Sequence, residues 1–144
     1  MMLLNLAVGL PIMLLCLVLQ VTATFFSVEH YLKTPYNAGF IAGVRPLVNA
    51  MLILITGNFL QILIWSLVFI LLGEFNNLYD AFYHSAVNFS SLGYGDVVMG
   101  DRWKLLGPLE AGNGVLMFGL TSAALMVILQ QLIKAHPRLN KKPD

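Results

Sequence analysis

One short run of the sequence has residue types and spacing suited to binding a cation: Ser91-Leu92-Gly93-Tyr94-Gly95-Asp96. Glycine adopts backbone torsions that other residues avoid, so Gly93 and Gly95 allow successive carbonyl groups to point the same way. A ring of such oxygens can replace the water around a bare cation. The carboxylate of Asp96, at the end of the run, would concentrate cations there. The run therefore predicts ion coordination by the backbone.

The composition indicates that a lipid bilayer surrounds the elements that position this run. The chain has 144 residues, of which 58% are hydrophobic and only 10% charged, and its mean hydropathy is +0.80. Soluble domains are nearer half apolar and a quarter charged. Since one span needs roughly 20 apolar residues, this length allows three spans and leaves no room for a separate soluble catalytic or regulatory domain.

Three long apolar segments are predicted to cross the membrane. The first forms an additional N-terminal helix within residues 1–32, with a kink at Pro11. The second and third form an outer helix over 46–72 and an inner helix over 108–136. Each of these begins with a proline, which is tolerated in the first turn because its missing N–H has no partner there.

The segment between the second and third spans is predicted to re-enter the membrane without crossing it. Asn77 can cap a short helix over 79–90, with Asp80 in its first turn. About three turns cannot cross a bilayer, and the glycine-rich run over 91–96 follows at once. Irregular backbone at this depth requires burial in protein or a water-filled path.

The basic residues predict the orientation. Six of the eight Lys and Arg residues lie in the predicted loop over 33–45 or at and beyond the end of the third span, which leads into the tail over 137–144. The positive-inside rule places both regions in the cytoplasm. Three spans then place the N-terminus outside, in a plasma (inner) membrane.

The order of outer helix, short helix, Gly-Tyr-Gly run and inner helix resembles the small bacterial pore-loop potassium channels, over roughly residues 46–136. The run Gly107-Pro108-Leu109-Glu110-Ala111 and the segment from Gly114 to Gly119 are also similar to a bacterial branch of that family. The resemblance implies an all-α membrane protein with three transmembrane helices, a re-entrant pore helix and a selectivity-filter loop, assembled as a homotetramer in lipid. It implies passive K⁺ conduction, with no cofactor beyond the permeant K⁺ ions.

The resemblance also implies roles for individual residues. K⁺ would be coordinated by Ser91, Leu92, Gly93 and Tyr94 within a filter that ends at Gly95, while the Tyr94 ring packs behind the filter. Asp96 would lie at the outer mouth. The remaining candidates are filter support by Tyr83 and His84, gating hinges at Gly114 and Gly119, and cavity lining by Thr121 and Ser122.

Several of these residues have simpler interpretations that the sequence leaves open. His84 could bond Asp96 or Tyr94, or be an ordinary buried histidine. Gly114 and Gly119 are explained equally well by close helix packing. Glu110 is explained as a favourable charge near the N-terminus of the inner helix.

Two alternative functions also remain open. Ser91 stands where the family usually has threonine, which leaves a weakly selective cation channel as an alternative to a K⁺ channel. A non-conducting membrane subunit or scaffold is the other. A single cysteine, Cys16, and the lack of a nucleophile or phosphate-binding motif argue against an enzyme. A net charge of +1 argues against a nucleic-acid partner.

Overall fold

The structure, a computed structural model, describes residues 1–33 and 40–135, with side chains over 44–134 in the second part. The described chain is helical, with the elements α1 (Met2–Lys33), α2 (Phe40–Leu71), α3 (Leu78–Phe89) and α4 (Leu106–Ala135). Three segments are long and apolar enough to cross a membrane: Met2–Lys33, Val44–Leu71 and Leu106–Lys134. The fold is therefore the all-helical, three-span arrangement that the composition predicts.

Among the described residues, the observed helix ends differ from the predicted bounds by at most two residues except at the start of α2, and the predicted end at residue 136 lies outside them. Helix α2 begins at Phe40, so Pro46 lies inside it and not in its first turn. An interior proline removes one backbone hydrogen bond, and the helix continues on both sides of it. The predicted loop over 33–45 is thus helical from Phe40, while 34–39 and the predicted tail over 137–144 lie outside the described residues. Helix α1 likewise continues through Pro11.

Local signals set the ends of α2 and α3. Gly73, with φ +75°, follows α2, and its N–H donates to the carbonyl of Ile70 at 2.9 Å, which ends the helix in a left-handed turn. Asn77 then caps α3, because its Oδ1 accepts from the backbone N–H of Asp80 at 2.8 Å. The cap predicted from the sequence is therefore present, and α3 runs for 12 residues.

Helix α3 is held between α2 and α4, and α1 packs against both of these longer helices. The buried core takes side chains from all four helices and from Trp103, which precedes α4. On the α2 side, the Phe69 and Phe75 rings lie 5.5 and 5.0 Å from the His84 ring, centroid to centroid. This packing fixes the position of α3 and hence of the loop that follows it.

Three buried amide side chains and one threonine link α1, α2 and α4. Gln20 Nε2 donates to Thr121 Oγ1 at 2.8 Å, and Gln20 Oε1 accepts from Gln61 Nε2 at 2.7 Å. Asn58 Nδ2 also lies 3.3 Å from Thr121 Oγ1. We call Gln20, Asn58, Gln61 and Thr121 the α1 clamp. Buried polar groups require such partners, so α1 is docked at a specific register.

Candidate functional site

The run after α3 has an alternating backbone. Ser91, Gly93 and Gly95 have φ of +58°, +63° and +74°, whereas Leu92 and Tyr94 between them are not among the residues with positive φ. A positive φ is uncommon for a residue other than glycine, which makes Ser91 notable. Positive φ thus recurs at every second residue of the run, and glycine provides it at two of the three positions without the steric cost of a Cβ atom.

The run is tied to the end of α3 by backbone hydrogen bonds. The N–H of Ser91 donates to the carbonyl of Asn88 at 2.8 Å, and that of Leu92 donates to Val87 at 3.0 Å. The C-terminal end of a helix carries a negative partial charge. The loop therefore starts where α3 directs a field that attracts cations.

The single chain leaves this run uncovered. Every residue over 90–96 is exposed, and the Tyr94 side chain is 66% exposed despite its aromatic ring. The packing predicted for Tyr94 behind the filter is thus not made within one chain. One strand also cannot surround an ion, so any coordination site requires further copies.

Asp96 fastens the outer end of the run to α3. Its Oδ2 accepts a hydrogen bond from the Tyr83 hydroxyl at 2.7 Å, and its Oδ1 accepts from the backbone N–H of Val97 at 3.0 Å. The Tyr83 hydroxyl bond holds the pKa of Asp96 below its ordinary value, and the same bond raises the pKa of Tyr83. Asp96 is therefore a stabilised anion at the end of the run, in contact with one of the two predicted support residues.

His84, the second predicted support residue, has other partners than expected. It is buried, its Nδ1 lies 2.8 Å from the carbonyl oxygen of Val97, and its Nε2 lies 2.8 Å from Asn88 Nδ2. A carbonyl only accepts and an amide nitrogen only donates, so Nδ1 carries the proton and Nε2 accepts. The predicted bond to Asp96 or Tyr94 is not formed. His84 is the satisfied buried histidine of the alternative interpretation, and it holds the loop just beyond Asp96.

Glu110 differs from its predicted role as a terminal charge. It lies beyond the first turn of α4 and is completely buried, with its Oε1 in a short hydrogen bond with the Ser85 hydroxyl of α3. The Ser85 hydroxyl also lies 2.8 Å from the carbonyl oxygen of Ile62 in α2. The carboxyl group thus faces the interior because α3 covers this side of α4.

The two candidate hinge glycines have different surroundings. A Cβ atom on Gly114 would lie 1.8 Å from the carbonyl oxygen of Phe89, whereas a Cβ atom on Gly119 would meet nothing within 4 Å. Gly114 thus allows the backbones of α4 and α3 to touch, which is the packing interpretation. The hinge interpretation of Gly119 stays a prediction.

The two candidate cavity residues also face different ways. The Thr121 hydroxyl accepts hydrogen bonds from Gln20 of α1 and Asn58 of α2, and the residue is buried. The cavity position predicted for Thr121 is therefore wrong, because its side chain points toward the neighbouring helices of its own chain. Ser122 is exposed in the single chain, and its predicted position beside a cavity stays a prediction.

Together these features define an all-helical protein with three candidate membrane spans, in which a short helix and a loop with recurrent positive φ lie between the second and third spans. A comparison with protein-family models matches residues 51–131 to a family described as ion channel. The match covers more than half of the 144 residues, and the chain belongs to this family. It is accordingly a multi-pass membrane protein of a transport class. No curated protein and no solved structure matches the chain significantly.

Sequence reasoning missed the polar contacts behind the loop. Ser85 bonds to α2, Val97 bonds to His84 of α3, and Asn88 holds the His84 ring within α3, but none of these three residues stands out by type. Glu110 gave a usable signal, since an acid inside an apolar segment is costly unless it has a partner.

Proposed function

We propose that four copies of the chain assemble around an axis and conduct K⁺ passively through the run over 91–95. The proposal rests chiefly on the alternating φ values at Ser91, Gly93 and Gly95. Stacked rings of carbonyl oxygens from Ser91, Leu92, Gly93 and Tyr94 would replace the water around K⁺, with the Ser91 hydroxyl completing the innermost ring.

The surroundings of the run support this assembly. The loop and the Tyr94 ring are exposed in the single chain, and neighbouring copies would cover them in the proposed assembly. The negative end of α3 favours a cation at the inner end of the run, and the ionised Asp96 favours one at the outer end. The proposed location is a plasma membrane. The N-terminus would lie outside and the C-terminus in the cytoplasm, as the distribution of basic residues predicts.

A weakly selective cation channel is the second candidate, because Ser91 lacks the methyl group of the threonine usual at this position in the potassium channels that the chain resembles. Purified protein in liposomes distinguishes the two. We expect K⁺ efflux down its gradient and a much slower efflux when Na⁺ replaces K⁺. Equal rates for both ions would favour the second candidate. An assembled protein that passes neither ion would indicate a non-conducting subunit or scaffold.

The Asp96–Tyr83 hydrogen bond predicts a pH dependence. Asp96 attracts cations only while ionised, so K⁺ flux is expected to fall as the external pH falls through its pKa. Tyr83→Phe removes the hydrogen bond that holds this pKa low. The pKa then rises, and the decline in flux is expected at higher pH than in the wild type.

The measurement compares K⁺ flux across external pH, with each variant scaled to its own maximum. Tyr79→Phe is the matched control, since it removes a hydroxyl from an exposed tyrosine on the same helix. A Tyr83→Phe curve that coincides with the wild-type and control curves would show that the Asp96 charge does not govern entry.

A further inference from the structure

Glu110 is a buried acid whose charge has no evident counter-ion. Its exposed fraction is zero, and it lies where α2, α3 and α4 meet. The ion pairs found among the described residues, Lys33 with Glu29 and Lys104 with Asp101, involve other acids. An isolated buried carboxylate is strongly unfavourable, whereas a neutral carboxyl group needs only hydrogen bonds.

The two hydrogen-bond contacts of the Ser85 hydroxyl indicate the protonation state of Glu110. Its hydroxyl oxygen contacts both Glu110 Oε1 and the carbonyl oxygen of Ile62. Ser85 has one proton to donate, and a backbone carbonyl can only accept. Both contacts are hydrogen bonds at the same time only if Glu110 donates to Ser85 while Ser85 donates to Ile62. This arrangement requires a protonated carboxyl group.

The ionised alternative satisfies fewer groups. A carboxylate would accept the single hydrogen bond that the Ser85 hydroxyl can donate. The contact between Ser85 and the Ile62 carbonyl would then have no hydrogen between its two oxygens. Glu110 Oε2 is also buried with no hydrogen-bond partner among the described residues. A carboxylate would therefore have only neutral donors beside it, the Ser85 hydroxyl and the Asn88 amide, and these do not offset the loss of hydration of a full charge.

The contacts of Ser85 with Glu110 of α4 and Ile62 of α2 also hold the segment that contains α3 and the run over 91–96. Ser85 belongs to α3, and the neighbouring His84 holds the carbonyl of Val97 beyond the loop. The end of the same helix holds the first residues of the loop. A displacement of α3 relative to α4 would thus move both ends of the run over 91–96.

We propose that Glu110 works as a neutral carboxylic acid, a positioning residue that joins α4 to α3 and, through Ser85, to α2. In this role it keeps the run over 91–96 in its conducting arrangement. This inference rests on the proposed conduction through that run, but the protonation of Glu110 can be measured without any flux.

Infrared spectroscopy of the reconstituted protein at neutral pH provides that measurement. The C=O stretch of a protonated carboxyl group is resolved from that of a carboxylate. The wild-type spectrum minus that of Glu110→Gln is expected to contain the protonated band. Asp101→Asn, which removes an exposed acid, is the matched control and should leave this band unchanged. A carboxylate band in the Glu110→Gln difference would overturn the proposal.

Flux then tests the positioning role. Glu110→Gln is expected to conduct close to the wild-type level, because the amide can also donate to Ser85. Glu110→Ala is expected to lose at least about tenfold of the flux, since it leaves the buried Ser85 oxygen without its donor and removes the hydrogen bond between α4 and α3. If Glu110→Ala assembles poorly, Glu110→Gln alone tests the role. Loss of flux in an assembled Glu110→Gln channel would overturn the proposal. Equal flux in an assembled Glu110→Ala channel would also overturn it, whereas a wild type that never conducts would instead contradict the proposed function.

Discussion

Gly95→Ala is expected to abolish K⁺-selective flux. Gly95 has φ +74°, and a left-handed conformation costs an L-residue with a Cβ atom roughly 1–2 kcal/mol. Relief of this strain turns the peptide group, so that its carbonyl oxygen no longer points toward the proposed ion path. Since about 1.4 kcal/mol corresponds to a tenfold ratio, we expect a distortion of this size in each chain of the proposed tetramer to remove the discrimination between K⁺ and Na⁺. K⁺ and Na⁺ flux from liposomes measures the effect.

Gly73→Ala is a closely matched control. Gly73 has φ +75°, and a Cβ atom there meets nothing within 4 Å, as at Gly95. The two substitutions therefore introduce similar backbone strain, but Gly73 lies outside the run. We expect Gly73→Ala to lower stability without changing selectivity. An assembled Gly95→Ala channel with unchanged K⁺ selectivity would show that ions do not pass along this run.

Gly114→Ala is expected to prevent correct packing of α3 on α4. The new Cβ atom would lie 1.8 Å from the carbonyl oxygen of Phe89 and 2.6 Å from its carbonyl carbon. Backbone atoms cannot move aside as a flexible side chain can, so α3 must shift. Overpacking of a core costs about 1–3 kcal/mol, occasionally more. We expect a lower thermal stability in detergent, and loss of flux from any protein that assembles.

Gly112→Ala provides the comparison on the same helix. A Cβ atom at Gly112 meets nothing within 4 Å in the chain, and alanine favours a helix by about 1 kcal/mol over glycine. Thermal stability equal to or above that of the wild type is expected for this variant. Equal stabilities of Gly112→Ala and Gly114→Ala would contradict the close approach of α4 to Phe89.

The sequence predicted those parts of the fold that local signals control. Hydropathy alone located the three spans, and Asn77 located the start of α3 within one residue. The start of α2 was missed because a proline suits a first turn but is also tolerated inside a long membrane helix, as Pro46 is. Nothing near Pro46 in the sequence distinguishes these two cases.

The candidate site divides in the same way. Gly93 and Gly95 have the positive φ that glycine permits, because torsional preference is a local property, whereas nothing in the sequence indicates the positive φ of Ser91. The direction in which a helical side chain points depends on which helices surround it. Thr121 was misplaced for this reason, since its partners lie in α1 and α2. Glu110 was misread because α3, which buries it, is distant in sequence.

The α1 clamp has a consequence for the order in which the molecule is built. Synthesis delivers α1 to the bilayer before α2 and α4, yet Gln20 finds its partners only on Gln61 and Thr121 of those later helices. Until α2 and α4 are inserted, the Gln20 amide lacks these hydrogen-bond partners. Of the three described spans, α1 is therefore synthesised before the others but gains these polar contacts only after α2 and α4 have been inserted.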